Sequence, residues 1–315
     1  MRRNPHLNML ESVRHHVGRD NQLKNYMTTK RGRPAIDDAS ADTLKDSAAL
    51  SLKANATLAR IEFARALSRQ VEKHAKSMSF PSFVTLAPSQ FAVPIAEASR
   101  FDVGKLIEWA KKALTCRNHI TFVEAALYTN YQAQRGGAMG AVHWHTHSIC
   151  WGGDEEFDDE QMLFDLIEAG EQPFIPGIRL YHRRLLSAAT VVGRTIYMAK
   201  APLSEYRVYA QTEEKTDPRT GEMFKTPTGQ YIQKKRALRP GDASLLCRII
   251  GTKDLPSLTL AKGEGEELLK TATEKARLKI AKILSSLSTE GAMANVAPEK
   301  SYFDYAGNGS GWRRG

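Results

Sequence analysis

The sequence predicts an α+β fold: a central antiparallel sheet, flanking helices and extra helical segments at both ends of the chain. Two patterns lead there. Short β-branched and apolar runs, Phe83–Ala87, Ile120–Tyr128 and Val142–Trp151, alternate as strands do, and the last two flank the glycine-rich turn Gly136-Gly137-Ala138-Met139-Gly140 as an antiparallel hairpin would. Between and around them, apolar residues recur at helical spacing over 41–76, 101–114, 184–200 and 266–287.

Taken in order, residues 1–39 are polar and basic without an apolar period, and are expected to form a flexible arm. Leu44, Leu50, Leu58, Ile61, Leu67 and Val71 then mark a helical N-terminal segment, 40–78, packed on the next domain. That domain is expected over 79–211. In it Phe83-Val84-Thr85-Leu86 is a buried strand closed by Pro88, and Val103, Leu106, Trp109 and Ala110 lie on one helix. The acidic run 154–160 suits a helix N-terminus, where negative charge meets the positive end of the dipole. Ile178–His182 is read as a strand with His182 in solvent or on a local partner. The next helix runs from Arg184 to Pro202, with Leu185, Ala189, Val192 and Ile196 as its buried stripe. Residues 212–287 are expected to hold a basic hairpin and a helical extension, and 288–315 a disordered tail.

Composition limits the function. The 315 residues are 42% hydrophobic and 25% charged, as in globular proteins, without an apolar run for a membrane span or a secretory signal. A cytoplasmic location is expected. Cys116, Cys150 and Cys247 are odd in number and widely spaced, which fits a reducing compartment and argues against a zinc knuckle. A net charge of +10 favours an acidic polymer as partner, nucleic acid first. In the arm, Lys30-Arg31-Gly32-Arg33-Pro34 resembles an AT-hook core, making Arg31 and Arg33 candidate DNA contacts, with a plain phosphate-seeking arm as the alternative. Lys234, Lys235 and Arg236 are candidate phosphate contacts on the hairpin.

The chemistry centres on Val142-His143-Trp144-His145-Thr146-His147-Ser148. On a strand, His143, His145 and His147 share one face at intervals of about 6.6 Å, close enough for neighbours to lean onto one ion, and neutral imidazoles suit a divalent metal. The neighbouring strand would bring an oxygen ligand, from Glu124 or from Gln132, depending on register. On the helix before Pro202, Tyr197 and Lys200 share a face, and an ammonium beside a phenol would ease its ionisation and steady negative charge on a phosphate.

The order of these stretches, Phe83-Val84-Thr85-Leu86, then His-x-His-x-His, then Tyr197-Met198-Ala199-Lys200, resembles the motifs of HUH-type endonucleases, especially rolling-circle replication initiators of plasmids and phages. It covers about residues 80–210. The resemblance implies an HUH-like sheet and Mg²⁺ or Mn²⁺ on two of the histidines, either His143/His145 or His145/His147. It also implies Tyr197 as nucleophile in site-specific nicking and rejoining of single-stranded or cruciform origin DNA through a 5′-phosphotyrosine. Lys200 would assist charge build-up, and a host helicase is the implied partner. Ala201 stands four residues after Tyr197, so a single-tyrosine enzyme is implied. A transposase or relaxase, or a non-catalytic DNA-binding repressor, are the alternatives; a metal-dependent hydrolase unrelated to DNA would leave Tyr197 and the positive charge without a use.

Overall fold

The computed structural model describes residues 8–29, 46–133, 136–152, 159–202 and 204–293. It is α+β: a curled mixed sheet with helices on both faces. In chain order the elements are α1 (Met9–Met27), α2 (Asp46–Leu50), α3 (Thr57–His74), β1 (Ser82–Leu86), β2 (Ala92–Pro94), α4 (Val103–Ala113), β3 (Asn118–Tyr128) and β4 (Ala141–Trp151). Beyond β4 come α5 (Asp159–Glu168), β5 (Tyr181–Leu185), α6 (Ala188–Met198), β6 (Ser204–Thr216), β7 (Met223–Ala237), α7 (Pro240–Gly251), β8 (Thr259–Lys262) and α8 (Glu264–Met293).

The strand order is β5-β1-β4-β3-β6-β7, with β2 beside the start of β4 and β8 beside the start of β3. The hairpin β3–β4 is its centre, and every residue of β4 is buried. The sheet departs from the all-antiparallel expectation at one place, where β6 runs parallel to β3 at Leu127 and Tyr128. A parallel neighbour needs a long crossover, and the chain between β3 and β6 supplies one that includes α5 and α6. At the turn into β4, Gly140 has φ +97°, and a Cβ there would come within 2.5 Å of Ile95 Cδ1, so only glycine lets the chain enter β4 at this angle.

One face of the sheet is covered by α3, α6 and α8. Helix α3 is buried almost all round, and its Phe63 packs edge-on against Phe122 of β3 at 5.8 Å. On the other face Trp144 stacks on Phe101 at 5.2 Å, while Val84, Leu86, Cys150, Met162 and Leu166 form a second cluster. The main core is continuous from Met9 of α1 to Ile283 of α8.

Several expectations are corrected. The flexible arm expected over 1–39 contains helix α1. Asn8 caps it, accepting hydrogen bonds from the Leu10 and Glu11 backbones, and its inner face buries Met9, Val13 and Leu23 together with Ser12, His16, Arg19 and Asp20. Those polar residues break the apolar period, yet they are paired inside: Arg19 bonds Asp20, Thr57 Oγ1 and the Asn55 carbonyl. Leu185 is not on α6 but at the end of β5 and exposed, so the buried stripe of α6 is Val191, Thr195, Ile196 and Met198. The strand expected over 178–182 starts at Tyr181. The hairpin begins at Ser204, across the boundary expected at 211/212: β6 pairs with β7 on both sides of that boundary, with a register shift between Ala210 and Thr212. Helix α8 continues through Met293. Arg31, Arg33, most of the acidic run and the end of the tail lie outside the described residues.

Candidate metal centre and its tyrosine

The β3–β4 register decides what stands beside the histidines. Glu124 pairs with His145, Phe122 with His147 and Ala126 with His143, so Glu124 shares their face. Among the described residues one group of three candidate ligands converges, Glu124, His145 and His147, with ligand atoms all within 4.8 Å of one another. His147 Nε2 lies 3.1 Å from Glu124 Oε2, His145 Nε2 lies 4.0 Å from it, and the two Nε2 atoms are 3.3 Å apart. Ligands at right angles around an ion with bonds of about 2.1 Å stand roughly 3.0 Å apart, so the set needs only slight adjustment.

The outer nitrogens are held. His145 Nδ1 donates to the His143 carbonyl at 3.3 Å, which leaves its Nε2 a bare lone pair, and His147 Nδ1 lies 2.9 Å from Thr85 Oγ1 on β1. A hydroxyl either donates or accepts, so Thr85 serves both tautomers of His147: one giving its Nε2 proton to Glu124, the other presenting that nitrogen to an ion. Burial holds all three imidazoles neutral. His145 is lowered to about 3, chiefly by burial and then by His147; His143 is lowered to about 4 by burial; His147 is lowered by burial against the pull of Glu124. Glu124 stays well below the usual carboxylate range, because Lys200 and the histidines outweigh the burial that pushes it up. Two neutral imidazoles and one carboxylate are a divalent-metal donor set.

Two expected ligands fall outside it. His143 Nε2 donates to the Pro88 carbonyl at 3.0 Å, since the segment after β1 crosses over its end of β4. Gln132 sits beyond β3 in the turn, paired with Gly140, and its Nε2 donates to the Gly137 carbonyl at 2.6 Å.

The C-terminal end of α6 brings Tyr197 to the group. Its ring meets His147 edge-on at 5.5 Å and Phe83 at 5.9 Å. Lys200, just past the helix, is 4% exposed, and its Nζ pairs with Glu124 Oε2 and lies 4.2 Å from the centre of the Tyr197 ring. The expected easing of the phenol is absent here. Tyr197 is pushed up to about 12, by burial first and then by the charge of Glu124, with Lys235 and Arg194 pulling the other way. The ammonium of Lys200 is spent on Glu124 rather than on the phenol.

Sequence reasoning missed the groups that fix this corner. Arg60 of α3 is buried, and its Nη1 donates to the carbonyls of Ala199 at 3.1 Å and Lys200 at 2.8 Å, while its Nε bonds the Ala54 carbonyl. His16 of α1 accepts the Ala201 N–H at 3.0 Å. An arginine within an apolar helical stretch was the one available signal.

The three basic hairpin residues divide by alternation. Lys235 faces the cleft over the Tyr206 ring, at 5.8 Å, whereas Lys234 and Arg236 take the other face around Tyr209. Positive charge gathers at this root. The outer arm carries Lys215, Arg219 and Lys225 against Glu213, Glu214, Asp217 and Glu222, so it is not basic. His145 and His147 of the triad line a cleft of about 410 Å³, with Phe174, Arg179, His182 and Tyr206 among its walls. No helix among the described residues is long and apolar enough to cross a membrane. Comparison with protein-family models, with curated proteins and with solved structures found no match.

Proposed function

We propose that the protein is a metal-dependent, single-tyrosine DNA-nicking and rejoining enzyme of the HUH type, acting on single-stranded or cruciform DNA to initiate rolling-circle replication of a plasmid or phage. The reading rests on one observation: a neutral His/His pair with a carboxylate stands beside a tyrosine packed on one of those imidazoles. Glu124, His145 and His147 would hold Mg²⁺ or Mn²⁺, with Mn²⁺ favoured by the two nitrogen donors. A bound divalent ion supplies Lewis-acid polarisation of a phosphate and offsets charge at the reacting oxygens.

The chain supplies the rest. Tyr197 Oη attacks phosphorus, the bond to the 3′ oxygen breaks, and that oxygen takes up a proton as the phenol loses one. The products are a 5′-phosphotyrosine and a free 3′-hydroxyl. One phosphodiester replaces another, so the reverse step rejoins the strand. Lys235 and Arg194, which already pull the phenol downward, face the incoming phosphate. Lys200 neutralises Glu124; with that carboxylate holding an ion instead, the Lys200 ammonium would be free to offset charge on the leaving group. The same donor set also suits Fe(II) oxygen chemistry, but that chemistry gives no role to Tyr197 or to the basic hairpin root.

Incubation with single-stranded origin oligonucleotides and Mn²⁺, read on a denaturing gel, tests the proposal. A covalent protein–DNA band that requires the metal and vanishes in Tyr197→Phe is expected. Salt-sensitive binding with no adduct across a library of oligonucleotides would favour the repressor alternative.

A further inference from the structure

His143 is the one buried histidine of β4 that the proposed chemistry leaves idle. It is 4% exposed and lines the cleft. Its Nε2 bonds the Pro88 carbonyl, which can only accept, so Nε2 carries the proton and Nδ1 is an acceptor. That acceptor makes no hydrogen bond among the described residues, and the ring lines the cleft.

The wall beside it is aromatic. Phe174 lies 4.8 Å from the His143 ring and 5.2 Å from Tyr128, and Tyr128 stacks on Tyr206 at 5.3 Å with planes 23° apart. Gln233 of β7 accepts the Tyr128 hydroxyl on Oε1 at 2.8 Å, which orients the amide and leaves its NH₂ as a donor at the cleft. The wall is preformed. The loop carrying Phe174 is pressed onto β7, where the Tyr231 N–H donates to the Pro176 carbonyl at 3.0 Å and a Cβ on Gly177 (φ +87°) would approach Tyr231 O to 3.1 Å.

We propose that this cleft takes one unpaired nucleobase of the strand offered to Tyr197, held against the aromatic rings of Phe174, Tyr128 and Tyr206, with His143 Nδ1 and Gln233 Nε2 reading its edge. The inference rests on the nicking function proposed above. Every base has a π-face for such a wall, and its Watson–Crick edge carries the adjacent donor and acceptor that an acceptor and a donor on the protein complement. In a duplex that edge is occupied, so the cleft selects a single strand.

Fluorescence anisotropy of the full chain in EDTA tests this, with labelled oligo-dA, oligo-dC and oligo-dT compared with an abasic backbone of equal length. At least one homo-oligonucleotide is expected to bind about tenfold tighter than the abasic strand. His143→Phe and Gln233→Leu should each remove most of that preference and leave abasic binding unchanged. If His143→Phe does not fold, Gln233→Leu, on an exposed strand position, decides alone. Equal binding of base-bearing and abasic strands, or a preference that survives Gln233→Leu, would overturn the base pocket while leaving the nicking reading in place. Failure of every oligonucleotide to bind, abasic included, would overturn the nicking reading and the pocket with it.

Discussion

Lys200 and Thr85 carry the sharpest tests at the scale of single residues, because each is tied to one ligand atom. Lys200 Nζ occupies the Glu124 oxygen that an ion would need. Replacing it with the neutral Lys200→Met removes a competing cation, so Mn²⁺ affinity measured by calorimetry should rise while nicking falls; unchanged affinity would show that the ion pair and the metal do not share that oxygen. Thr85 Oγ1 is the hydrogen-bond partner of His147 Nδ1 and fixes which nitrogen faces the cleft. Thr85→Val should weaken metal binding about 10–100-fold with little change in melting temperature, as loss of an outer partner of a ligating histidine does. His143 shows why the sequence alone left the metal pair open. Alternation puts all three imidazoles on one face, and the Pro88 carbonyl, brought by a segment more than fifty residues earlier, is what removes one of them.

Among the elements, α1 and α3 position chemistry that the motifs only mark. Arg60 ties α3 to the carbonyls of 199 and 200, so the Tyr197–Lys200 corner is set by tertiary contacts rather than by α6, which has already ended at Met198. Arg60→Met strips partners from buried carbonyls and is expected to cost about 3 kcal/mol in urea unfolding. Nicking should drop further than the loss of folded protein explains, since Lys200 is released; activity that tracks the folded fraction would reduce Arg60 to a packing role. The β3–β4 hairpin was legible because its strands alternate cleanly around a glycine turn, and Glu124 was within reach of that reading. Its preference over Gln132 needed the register, which the turn length did not fix. Helix α1 was hard to read for a physical reason: its inner face interleaves Ser12, His16, Arg19 and Asp20 with Met9, Val13 and Leu23, which dilutes the apolar period. The parallel contact of β6 with β3 was hidden as well, because its partner strands lie far apart in sequence.

At the scale of the whole molecule, the sheet keeps several histidines neutral on its two faces, and that makes stability depend on pH. His119 is buried on the face opposite the triad, beside Thr121, and burial followed by the charge of Lys262 lowers it from the ordinary 6.5 to about 4. The unfolded chain therefore binds a proton that the folded chain refuses between those values. The associated stability is whole above pH 6.5 and is lost as the pH falls to and through about 4, a change on the order of 3 kcal/mol. Urea midpoints should fall from pH 7 to pH 5, with a shallower fall in His119→Gln; parallel curves would contradict the assignment. Positive charge is likewise distributed by the fold, gathered at the root of the hairpin beside the cleft and offset by carboxylates along its outer arm. Everything proposed for the site depends on Glu124, His145 and His147 holding one ion, and electron paramagnetic resonance of added Mn²⁺ tests that most directly. One bound Mn²⁺ per chain is expected, with nitrogen couplings from two imidazoles, one of them lost in His145→Ala and none in His143→Ala. Binding that survives Glu124→Ala and His147→Ala together, or couplings that change with His143 instead, would contradict it.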